Sequence, residues 1–143
     1  MTEQRQPRLL DARYLRWLGQ RACDVCRKAP PPGGSNDAAH LKAGNVTIGK
    51  PWAGTSKPSD MWATTLCRSC HDQQHDYGDE LGWWQAQGII NPFALCLRLY
   101  RQFKAENPKA PAARPRKQRP VKKRKPRDQR QKLRSRNDLR KRP

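Results

Sequence analysis

Two Cys-x-x-Cys pairs, Cys23-Asp24-Val25-Cys26 and Cys67-Arg68-Ser69-Cys70, do most to narrow the chemistry open to this chain. In each pair a tight turn can aim two thiolates at one ion, and two such knuckles complete a tetrahedral zinc site. One pair alone could be a redox dithiol. Two pairs in a small domain with little apolar material read as a structural staple. The fifth cysteine, Cys96, lies among Leu95, Leu97 and Leu99 and reads as a core thiol.

The three histidines sit close to these knuckles in sequence. His71 follows Cys70 directly and His75 comes four residues later, so on a helix both rings share one face and can reach one divalent cation. His40 lies between the knuckles, after Asn36-Asp37-Ala38-Ala39. Imidazole titrates at about pH 6.5, which suits a general base acting near neutrality. Hydrolysis of a phosphodiester needs such a base, and also a cation to offset charge growing on the phosphate. Mg²⁺ prefers oxygen ligands, so an imidazole-rich site could also take Mn²⁺, Ni²⁺ or Zn²⁺. A second reading stays open, in which His71 replaces Cys70 on the zinc. The chain is then a Cys-rich zinc ribbon without catalysis.

These residues need elements to place them. Asp11 can cap a short helix reaching about Gln20, with Tyr14, Leu15 and Leu18 on one face. Pro30-Pro31-Pro32-Gly33-Gly34 forces a loop after the first knuckle, and residues 44–59 are rich in Gly and Pro. A helix is predicted from near Cys67 to Tyr77, stopped by Gly78. Asp79 can cap another turn through Trp83 and Trp84, ending at Gly88. Asn91-Pro92 looks like an N-cap followed by proline at the first helical position. That last helix carries Phe93, Leu95, Cys96, Leu99, Tyr100 and Phe103.

Charge divides the chain. Residues 104–143 hold 18 Lys and Arg against 3 acids, whereas residues 1–103 hold 13 against 9. All the Trp, Cys and His precede residue 104. The basic segment has too little apolar surface to offset its ordering entropy, so a disordered tail is expected over 104–143, after a domain at 1–103. Its Lys122, Lys123, Arg124, Lys125 and Arg127 are the expected contacts to a nucleic acid, DNA first, bound by phosphate neutralisation. No long apolar run occurs, and the N-terminus reads MTEQRQPRLLDAR. Neither a spanning helix nor a signal peptide is expected, no membrane partner either, and the cytoplasm is the expected setting.

The segments Ala39-His40-Leu41, Leu66-Cys67-Arg68-Ser69-Cys70-His71 and His75 resemble the HNH, or ββα-metal, endonucleases. Gly54-Thr55-Ser56-Lys57-Pro58-Ser59-Asp60-Met61-Trp62, followed by the second knuckle, is similar to a phage and prophage branch of that family, which includes the recombination-enhancement nuclease. The resemblance spans residues 8–103. It implies that His40 is the general base and that His71 and His75 hold the catalytic cation. It also implies that Asp60 stands near the family's central Asn, which orients the base. The family usually has Asp or His just before the base, as a further ligand. Here that residue is Ala39, and Asp37 is the candidate that could reach in from two positions earlier.

The expected fold is therefore α+β: a short hairpin within residues 23–66, a knuckle helix and flanking helices around a structural Zn²⁺. The expected activity is metal-dependent hydrolysis of phosphodiester bonds in DNA. The alternatives are a non-catalytic zinc-ribbon module that binds nucleic acid, and an adaptor that uses the basic tail to recruit nucleic acid to a protein partner met through Trp62, Trp83 and Trp84, although at least two of these tryptophans are expected in the core.

Overall fold

The computed structural model describes residues 7–53 and 57–117. Among them are four α-helices and two sheets of two strands each, a mixed α+β architecture. In chain order these are β1 (Leu9–Leu10), α1 (Ala12–Gly19), β2 (Asp37–His40), β3 (Ala63–Leu66), α2 (Arg68–Tyr77), α3 (Glu80–Ala86), α4 (Pro92–Glu106) and β4 (Arg114–Pro115). None of these helices is long and apolar enough to cross a membrane.

Local chemistry sets the helix boundaries. The Asp11 carboxylate accepts from Tyr14 N–H at 3.1 Å and caps α1. Asp79 does the same for α3 through Gly82 N–H, and Asn91 for α4 through Ala94 N–H, with Pro92 in the first turn. Helix α2 ends at Gly78, whose φ of +79° lies in the left-handed region that glycine enters without steric cost.

β2 and β3 form the antiparallel pair on which the domain is built, in register from Asp37 opposite Leu66 to His40 opposite Ala63. All four residues of β3 are buried. Helix α1 packs on this hairpin. The Tyr14 hydroxyl donates to Ala63 O at 3.1 Å, and the Thr65 hydroxyl donates to Leu18 O at 2.9 Å. Helix α4 closes the core against α1, where Tyr14 meets Tyr100 edge-on and Phe103 at a tilt. Leu18, Leu41, Leu66, Trp84, Leu99 and Phe103 are buried, as is the Cys96 thiol.

Trp62, Trp83 and Trp84 are 8%, 2% and 1% exposed. They belong to the core, so the adaptor surface they were to form is not there. The exposed tryptophan is Trp52.

The described structure continues past the expected boundary at residue 103. Helix α4 runs to Glu106, whose carboxylate accepts from the Trp17 indole N–H at 2.8 Å. β4 then pairs with β1, and Arg116 N–H donates to Arg8 O. Charge counting hid this because a basic side chain can pack through its ends as well as its stem. Lys104 places its ammonium 5.3 Å from the Tyr100 ring centroid. Residues 118–143, with Lys122, Lys123, Arg124, Lys125 and Arg127, lie outside the described residues.

One core residue is unexpected. Lys50 is 2% exposed, and its ammonium donates to Ala43 O and sits 5.7 Å from the Trp62 ring centroid. Burial pushes its pKa down. The hydrogen bond closes the loop after β2 on itself, and the Trp62 and Phe93 rings hold the ammonium against the body of the domain.

Candidate metal centre and histidine site

The four knuckle cysteines come together. Their Sγ atoms all lie within 4.8 Å of one another, and Cys26 Sγ is 3.6 Å from Cys67 Sγ. Tetrahedral zinc–thiolate bonds of about 2.3 Å place neighbouring sulfurs about 3.8 Å apart, so this donor set fits a metal ion such as zinc. The first knuckle is shaped by Cys23 N–H donating to Lys28 O and Arg27 N–H to Cys23 O, with Arg27 in the left-handed region at φ +62°. Asp24 then fastens it to β3. Its backbone N–H donates to Thr65 O, and its carboxylate accepts from Thr65 N–H, both at 2.8 Å. Burial opposes ionisation of Cys23, yet backbone hydrogen bonds from Cys67, Cys26 and Val25 outweigh it and bring that thiol down to about 7. All five cysteines are free of disulfides.

The second knuckle leads straight into α2, which carries His71 and His75. His71 Nε2 and His75 Nε2 are 3.1 Å apart. That separation is a hydrogen bond between the two rings, its direction set by their tautomers. The Asp37 carboxylate meets His71 Nδ1 at 2.9 Å and also takes the Arg68 guanidinium at 3.1 Å. A carboxylate accepts, so it fixes the proton on Nδ1 and leaves the Nε2 lone pair for a ligand. The sequence points to Asp37 as a ligand beside the histidines. Its Oδ2 instead accepts from His71 Nδ1, on the side of the ring away from Nε2.

His40 makes a separate pairing. Its Nε2 is 2.9 Å from Asp60 Oδ1. Asp60 is 2% exposed and also receives the Arg8 guanidinium and the Asp11 backbone N–H, each at 2.8 Å. Burial works against the Asp60 charge, but hydrogen bonds from His40, Asp11 and Arg8 more than offset it and hold the carboxyl at about 2. An ionised Asp60 fixes the His40 proton on Nε2, so Nδ1 carries the lone pair.

No family model, curated protein or solved structure matches this chain.

The structure brings the expected site residues together in two groups rather than one. Side chains alternate along a strand. The Thr65 side chain faces α1, and its partner across the sheet is Ala38, so Ala38 and His40 face α1. Asp37 and Ala39 take the opposite face, where α2 brings His71. The His40–Asp60 dyad and the His71–His75 pair thus flank one hairpin from opposite sides. Sequence reasoning missed Arg8, which nothing in its Pro-Arg-Leu-Leu setting marks, and Asp24, whose place inside a knuckle is the one available signal.

Asp60 gives a pH prediction. Its folded pKa is lowered from 3.8 to about 2, so the stability it contributes is present above pH 3.8 and lost as pH falls through 2. A displacement of this size is worth about 2 kcal/mol. Acid unfolding followed by tryptophan fluorescence should show an Asp60→Asn variant losing less stability between pH 4 and 2 than the unaltered protein. Identical acid limbs would mean that the charge on Asp60 does not hold this network.

Proposed function

We propose that the chain is a zinc-stapled, metal-dependent nuclease of the HNH type that hydrolyses phosphodiester bonds, in DNA first. The observation that carries this reading is the pair of Nε2 atoms 3.1 Å apart, with Asp37 behind one of them. Two imidazole Nε2 atoms this close, one ring oriented by a carboxylate, would form part of a coordination shell once a cation replaced the proton they share, with several positions left for water and phosphate oxygens. A divalent cation held there would offset the charge that develops on the phosphate. His40 supplies the base through Nδ1, and Asp60 on its other nitrogen fixes the tautomer and stabilises the imidazolium formed on taking a proton from water. Arg8 and the Asp11 N–H keep Asp60 charged for that task. The two groups face opposite sides of a two-stranded sheet, so a phosphodiester served by both must lie across an edge of the hairpin.

Purified protein incubated with supercoiled plasmid and Mn²⁺ or Mg²⁺ should nick it, and a chelator should stop the reaction. His75→Ala should lower the rate at low Mn²⁺ and regain part of it as Mn²⁺ is raised, since it weakens cation binding and spares the base. Absence of metal-dependent cleavage of duplex, single-stranded, branched and RNA substrates would overturn the proposal. A second reading, a non-catalytic zinc module that binds nucleic acid, is favoured by one observation. His40 is bonded into the Arg8–Asp60–Asp11 network and already has a structural task there.

A further inference from the structure

Away from both histidine groups, a groove of about 890 Å³ runs between the first knuckle and α4. Arg27 of the knuckle and Arg98 and Arg101 of α4 line it, with the 87–89 turn at one end. The three guanidinium groups belong to exposed residues and form no ion pair among the described residues. The acid in the lining is Asp24, which is 7% exposed and has its carboxylate bound to Thr65 N–H. Ala94, Arg98 and Arg101 lie four and then three residues apart, so they share one face of α4, and the small Ala94 keeps its floor open. Nothing in the zinc site or the histidine groups uses this face.

We propose that this groove binds the sugar–phosphate backbone of nucleic acid and is the domain's own docking surface for it. The inference shares with the proposed function only that the ligand is nucleic acid; it requires no cleavage. Guanidinium forks match phosphate oxygens in a bidentate way, and three on facing walls suit successive phosphates rather than one isolated anion. The cavity is far larger than a single phosphate needs. The surplus of positive charge across the described domain and the segment after it draws the same kind of ligand.

The test compares the full-length chain with Arg98→Gln/Arg101→Gln. Both residues are exposed and remote from the cysteine cluster in sequence, and equal zinc content reports an intact fold. Binding of a fluorescent duplex DNA oligonucleotide is measured over a range of salt concentrations. Every phosphate that an arginine no longer neutralises lowers the log–log slope by about 0.9, so the double variant should lose about 2. A control, Arg13→Gln/Lys109→Gln, removes the same charge from exposed positions outside the groove and should change the slope by less than half as much. Equal losses in the two variants would overturn the proposal, because they would reflect charge without a site. It would also be overturned if binding of polyglutamate fell in the groove variant while DNA binding did not, since the groove would then serve an acidic protein. Cleavage plays no part in this measurement, so the groove and the nuclease reading can fail separately.

Discussion

Replacing Cys67 by serine is expected to release the metal and unfold the domain. The four thiols lie within 4.8 Å of one another where the first knuckle meets the start of α2, so an ion bound there would clamp together segments 41 positions apart. Structural zinc contributes about 10–16 kcal/mol in small metal-dependent peptides, against a net stability of about 5–15 kcal/mol for a typical domain. A serine hydroxyl is not a comparable ligand at neutral pH. Trp83 and Trp84, almost wholly buried, provide the readout. Their fluorescence should shift to that of exposed indole in Cys67→Ser, and also in the unaltered protein once a strong chelator has removed its zinc. Cys96→Ser is the control. It buries a hydroxyl in an apolar site and should cost about 1–3 kcal/mol with no loss of zinc. If chelation extracts the metal and leaves the tryptophan signal and thermal transition in place, the cluster is not the staple.

Replacing His40 should abolish cleavage and leave binding unchanged. Loss of a general base typically costs about 10²–10⁴ in rate. His40→Ala removes one of three hydrogen-bond partners of Asp60, with Arg8 and the Asp11 N–H still in place, so the fold should persist with reduced stability. His40→Gln is the sharper variant. Its amide can still donate to Asp60, yet it cannot accept a proton from water. Both variants should be inactive at saturating DNA and metal, and raised Mn²⁺ should rescue neither, in contrast to His75→Ala. If His40→Gln cleaves like the unaltered protein while His40→Ala is merely less stable, His40 is a strut and the non-catalytic reading takes over.

Much of the fold was legible because its signals are local. Asp11, Asp79 and Asn91 cap helices through their own side chains, and Gly78 ends α2 by its backbone freedom alone. The cysteine pairs were legible for the same reason, since a knuckle declares itself within four residues. The division of the histidines was not. It depends on strand register, and a change of one residue in register would carry His40 to the other face. For Asp37, distance in sequence says that it can approach His71 but not which nitrogen it will meet. Arg8 reaches Asp60 across 52 positions, and the groove arginines come from a knuckle and a helix that sequence spacing cannot bring together. Lys50 was unread because a buried ammonium is a property of its surroundings, here Ala43 O and two aromatic rings.

The bond between Trp17 and Glu106 spans 89 positions, as does that between Asp11 and Tyr100, so the contacts of α1 with α4 form only when almost the whole domain has been made. Contacts of such long range slow folding, because a large loop must close before any of them forms. At about 5–20 residues per second on the ribosome, roughly 4–16 s separate the emergence of the first knuckle from that of the end of α4. For much of that interval Cys23 and Cys26 wait as a half-site, without the thiols of Cys67 and Cys70 until the second knuckle arrives. The nascent chain is then a two-thiol ligand open to oxidation or capture by the wrong ion, and the order of synthesis would delay any four-thiol metal site until Cys70 has emerged.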